Sequence, residues 1–122
     1  MEEQVGLTQV ASTQSVDEIL QERLGVDRST ISGLCERFGI VEMGLFGSVL
    51  REDFRVAGDA PSDVDVLVEF GPEHRMTWQS WQELNGALSE LFGRRVDVVQ
   101  KQLLENPYRR SNILKTHRVI YG

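Results

Sequence analysis

The chain is poor in the residues that staple or cage a small protein. Its 122 residues include one cysteine and two histidines, so no internal disulfide can form and no Cys/His metal site can be assembled. No apolar run approaches the ~20 residues that span a bilayer. The opening MEEQVGLTQVASTQS lacks the basic and apolar blocks of a secretory signal. Basic charge is also scarce, with 13 Lys and Arg against 19 Asp and Glu and a net charge of −6. Sequence-independent binding to nucleic acid works by neutralising phosphates with basic groups, so direct nucleic acid binding is not expected. The expected compartment is the cytoplasm, with no membrane involvement.

What is present suits one globular domain. Hydrophobic residues make up 40% of the chain, an ordinary share for a self-sufficient core of this size. Residues 1 to about 14 are polar and non-periodic and are expected to be poorly ordered. Val16, Ile19, Leu20 and Leu24 then recur at helical spacing, with Ser15 and Glu18 as a capping box and Gly25 as a stop. A second helix places Ile31, Leu34, Cys35 and Phe38 on one face and ends at Gly39. The two helices could form a helix-turn-helix, but the first is acidic and no basic recognition face follows. Packing on a sheet is the preferred expectation.

Strands are predicted at 40–46, with Val41, Met43 and Leu45 on one face, at 63–70 and at 94–100. Between the first two, a short helix starts at Ser48, and Gly58, Asp59 and Pro61 mark a loop. A helix over about 76–92 carries Trp78, Trp81, Leu84, Leu88 and Leu91 toward the core. Asn106 and Pro107 cap a last helix, and RVIYG at the end is read as a short edge strand. The basic stretch YRRSNILKTHR at 108–118 reads as a solvated helix face. The expected class is α/β or α+β, a small sheet with helices mainly on one face.

The stretch GLFGSVLREDFRVAGDAPSDVDVLVEF, residues 44–70, carries the chemistry. On a strand, Asp63 and Asp65 point to one side with Cα atoms ~6.5–7 Å apart. Two such acids repel, and a divalent cation removes the conflict. Hard oxygen donors suit Mg2+ or Mn2+. Asp97 sits among valines in RRVDVVQ, and completes the cluster if the two strands are neighbours. Three carboxylates from two strands match a two-metal phosphoryl-transfer site. Gly47 allows close approach of a ligand to the backbone, Ser48 opens a helix able to hold a phosphate, and Arg51 lies one turn on.

These residues resemble the minimal nucleotidyltransferase (MNT) family of the DNA polymerase β-like superfamily. The likeness rests on Phe46-Gly47-Ser48, Arg51, Ser62-Asp63-Val64-Asp65-Val66 and the later GRRVDVV, and covers about residues 28–121. It departs from the family pattern at Leu50, usually alanine, at Glu52, usually glycine, and in the 14 residues between Ser48 and Asp63. The resemblance implies a polymerase β-like fold for residues 26–122, after an N-terminal extension at 1–25 that is partly disordered with a short helix. It implies that Gly47 and Ser48 hold the triphosphate, and that Arg51 neutralises phosphate charge. Asp63, Asp65 and Asp97 would bind two Mg2+ ions, Asp97 also helping to deprotonate the acceptor. It further implies an antitoxin that moves AMP from ATP to a tyrosine of a partner HEPN-domain toxin. The chain is expected to carry no acceptor-binding domain of its own, which favours a protein acceptor over a small molecule. A non-catalytic antitoxin that neutralises its partner by occlusion is the alternative.

Overall fold

A computed structural model describes residues 15–51, 54–55 and 62–122. The expectations for residues 1–14, Glu52 and the turn signals at Gly58, Asp59 and Pro61 lie outside those residues. Helix α1 (Val16–Glu18) runs directly into a π-helical turn, Ile19–Leu24. The capping box is present: the Ser15 hydroxyl accepts from the Glu18 amide at 3.2 Å, and Glu18 accepts from the Ser15 amide at 2.9 Å. The π-helical widening differs from the simple α-helix expected, yet Ile19, Leu20 and Leu24 are all buried. Helix α2 (Arg28–Phe38) is capped by Asp27, whose carboxylate accepts from the Thr30 amide at 2.8 Å.

Strands β1 (Ile40–Phe46), β2 (Val64–Phe70), β3 (Val96–Gln100) and β4 (Arg118–Tyr121) form one sheet in the order β3-β2-β1-β4. β1 runs antiparallel to β2 and β4, while β2 and β3 are parallel. A parallel pair needs a long crossover, and α3 (Trp78–Phe92) supplies it. The main core lies on one face of the sheet. There Ile31, Cys35 and Phe38 of α2 and Leu84, Leu88 and Phe92 of α3 meet Met43, Leu45, Val64, Val66 and Val68. The two N-terminal helices therefore pack on the sheet, as preferred over a helix-turn-helix. Burial pushes the Cys35 thiol up to about 12, which leaves it an inert apolar filler.

Helix α4 (Pro107–Thr116) covers the opposite face. Its Ile113 closes a second apolar cluster with Phe46, Leu67 and Leu104. Asn106 caps it, accepting from the Tyr108 and Arg109 amides at 3.0 and 3.1 Å. Helices thus lie mainly, but not entirely, on one side.

Two side-chain placements differ from expectation. Val41 is 48% exposed, because the pairing of β1 with β2 shifts register between Ile40 and Glu42. That irregularity hands the core positions to Ile40 and Met43 and turns Val41 outward. Trp78 is 74% exposed. It is the first residue of α3, next to the capping Thr77, whose hydroxyl accepts from the Ser80 amide at 3.0 Å; Trp81, one turn on, packs against the core. Urea unfolding should separate the two classes of α3 residue. Leu88→Ala should lose about 2–5 kcal/mol, whereas Trp78→Ala should stay within about 0.5 kcal/mol of the parent.

Candidate active site

Alternation along β2 sends Val64, Val66 and Val68 into the main core and Asp65 to the face that α4 shares. Register then builds a row across three strands. Phe46 of β1 pairs with Asp65 of β2, and Asp65 pairs with Asp97 of β3. Neighbouring strands are ~4.8 Å apart, so the carboxylates of Asp65 and Asp97 project side by side. Asp63, exposed just before β2, precedes Asp65 by two residues on the same side.

The chain leaves this row through a 3₁₀ turn, Gly47–Leu50, rather than the longer helix expected from Ser48. So short a turn carries little macrodipole. Its use lies in position. Gly47 adopts a φ of 76°, and a Cβ added there would run into the Asp65 carboxylate. Glycine is therefore required twice over, for its left-handed backbone and for the closeness of the acid. The Ser48 hydroxyl donates to the Asp63 carbonyl at 3.3 Å, which ties the turn to the start of the acidic stretch. Gly47, Ser48, Asp63, Asp65 and Asp97 are thus brought together, and Arg51 completes the set at the edge of an adjoining pocket.

That pocket measures about 410 Å³ and lies between the turn and α4. Phe46, Leu50 and Ile113 give it apolar walls, Asn112 and Thr116 give it hydrogen-bonding groups, and Arg51 and Arg109 bring positive charge. Arg109, Asn112 and Thr116 escaped the sequence reading. The signal was the basic run beginning at Tyr108, but nothing local showed that α4 would lie over the acidic face.

The electrostatics of the row are those of unsatisfied acid. Burial raises the pKa of Asp65 above the usual carboxylate value, and the charges of Asp97 and Asp63 add to the rise. Arg109 and Arg51 pull the other way without cancelling it. Among the described residues, no three acidic, histidine or cysteine side chains stand close enough to form a ready-made cation cage. The three aspartates form an open array instead. Its donors are hard oxygens, and the mutual repulsion within it is the conflict a divalent cation relieves, so the residues suit Mg2+.

The sign of the Asp65 shift fixes a stability prediction. A carboxyl whose folded pKa is raised makes the fold less stable as pH climbs from the usual 3.8 through the folded value. In chelator at pH 7, Asp65→Asn should therefore melt at a higher temperature than the parent. Near pH 4 the difference should shrink. Scanning calorimetry at both pH values checks it.

The pattern of the nucleotidyltransferase domain family matches residues 28–120. The protein adenylyltransferase MntA of Thermococcus cleftensis is 40% identical over 90 residues, which is 72% of this chain and 80% of that protein. A solved structure described as a minimal nucleotidyltransferase superposes with a TM-score of 0.58 at 32% identity, over 88% of this chain and 98% of that one. A chain from the structure of a tri-AMPylated Shewanella oneidensis HEPN toxin with its MNT antitoxin shares the fold. Its TM-score is 0.55 at 18% identity, over 78% of this chain and 69% of that one. The match from 28 to 120 spans the acidic row, the turn and α4 together: the chain belongs to the nucleotidyltransferase domain family, in its minimal form.

Proposed function

We propose that this protein is a cytoplasmic antitoxin that transfers AMP from ATP to a tyrosine hydroxyl of a partner HEPN-domain toxin. The observation that carries the reading is the register of Asp65 with Asp97 beside the Gly47–Ser48 turn. It makes one site from a backbone turn that a phosphate can approach closely and a set of hard oxygen donors suited to a divalent cation. A relative named as a protein adenylyltransferase, and a shared fold with an MNT antitoxin bound to its AMPylated toxin, support the acceptor class.

The residues divide the work as follows. The backbone of Gly47 and the hydroxyl of Ser48 bind the triphosphate. Arg51 and Arg109 flank it and offset its charge. Phe46, Leu50 and Ile113 enclose the nucleoside, with Asn112 and Thr116 placed to hydrogen-bond its polar edge; the volume suits a small-molecule site. Magnesium held by Asp63, Asp65 and Asp97 would supply the positive charge that keeps the three carboxylates ionised and screens the phosphates. Asp97, exposed at the edge of the row, takes the proton from the acceptor hydroxyl. The acceptor oxygen bonds to the α-phosphorus as the bond to pyrophosphate breaks.

Incubating the protein with its purified partner, Mg2+ and α-labelled ATP tests the reading. Label should appear on the partner and vanish with Asp63→Ala or Asp97→Ala; inhibition of the partner without label would point to occlusion instead. Arg109→Ala should weaken ATP binding about tenfold, the loss of one charge-assisted contact, read by calorimetry. Adding Mg2+ should raise the melting temperature of the parent and leave that of Asp65→Asn nearly unmoved.

A further inference from the structure

Two guanidinium groups outside the acidic row close on the segment joining its two halves. Arg23, in the π-helical turn, donates from Nη1 to the Val49 carbonyl at 3.0 Å and also to the Arg51 carbonyl. These carbonyls sit where the Gly47–Leu50 turn ends. Arg94, just after α3, donates from Nη1 to the Arg55 carbonyl at 3.0 Å and the Ser62 carbonyl at 3.2 Å. Ser62 immediately precedes Asp63. Arg55 and Ser62 are also joined to each other, the Arg55 amide donating to the Ser62 hydroxyl and the Ser62 amide to the Arg55 carbonyl, both at 2.9 Å.

Both arginines lie over the buried ring of Phe54. The guanidinium carbon of Arg94 is 4.9 Å from its centroid and that of Arg23 is 5.9 Å away, both within cation–π range. One aromatic ring thus links a cation holding the end of the phosphate turn to a cation holding the start of the acidic stretch. Arg23 also lies outside the span that matches the family pattern.

We propose that Arg23 and Arg94, clasped on Phe54, are positioning residues that fix the spacing between the Gly47–Leu50 turn and Asp63 for nucleotide binding. The inference rests on the nucleotidyl-transfer reading above. Neither side chain needs to touch the nucleotide. A guanidinium bonded to two carbonyls sets the planes of the peptides it holds, and small displacements at a reacting centre are costly.

The test uses the full chain with Arg23→Met and Arg23→Lys. It measures Mg-ATP affinity by calorimetry, melting temperature, and hydrogen exchange of the amides at 48–51. In Arg23→Met those amides should exchange faster and ATP affinity should fall about tenfold, with the protein still folded at the assay temperature. Arg23→Lys should recover part of the loss. Unchanged exchange and affinity in Arg23→Met would overturn the proposal, as would a loss explained entirely by unfolding. Should Arg23→Met not fold, Phe54→Leu removes the stack alone and is read the same way. A parent protein without ATP affinity would sink the transferase reading and this inference with it. A parent that binds ATP beside insensitive variants would sink this inference alone.

Discussion

The parallel register of β2 with β3 is the constraint on which the site depends. It sets Asp65 beside Asp97, and because side chains alternate along a strand, a slip of one residue would turn Asp97 into the core and Val96 or Val98 onto the acidic face. Such a slip is opposed by the valines themselves. Val64, Val66 and Val68 on β2 and Val96 and Val98 on β3 share one buried cluster, so the apolar side of the sheet fixes where the acids stand on the other. The packing that stabilises the fold and the array that would bind metal are two faces of one pairing.

The same face carries a contrasting pair of acids farther along the sheet. Glu42 and Glu69 both lie against Lys101, at 3.3 and 3.4 Å, and the ammonium is held above its usual pKa by these partners. There the sheet neutralises its own charge. At Asp65 it does not: the neighbours are more acid, half-burial, and two arginines at the pocket edge. Of the two acidic groupings on this face, the one at Asp65 is the one whose repulsion the described ion pairs leave in place.

Much of this was legible in the chain because its signals are local. Ser15 with Glu18 and Asn106 with Pro107 announce helix starts through bonds three or fewer residues away. The valines around Asp63, Asp65 and Asp97 announce strands, and the family motif joins them to Gly47 and Ser48. What stayed hidden was set at a distance. Val41 turned outward because of a shift in its pairing with β2, which nothing in its own strand reveals. Arg109 reads as a solvated residue until α4 is known to cross the acidic face, and its side depends on how Ile113 finds Phe46 and Leu67. Arg23 needs carbonyls 26 and 28 residues away before it has any role.

The π-helical turn at Ile19–Leu24 has a consequence for how the N-terminal segment can vary. A π-turn accommodates one residue more than the α-helix around it, so a chain one residue shorter at Gln21 would regain ordinary α geometry. Because the widened turn spends its extra residue within about one revolution, everything on the far side of that deletion would keep nearly its present orientation to the capped first turn. Ile19 and Leu20 on one side of the gap, and Arg23 and Leu24 on the other, would stay on their present sides. A further residue inserted at Gln21, by contrast, would exceed what one widened turn absorbs and would swing Arg23 and Leu24 round by about 100°.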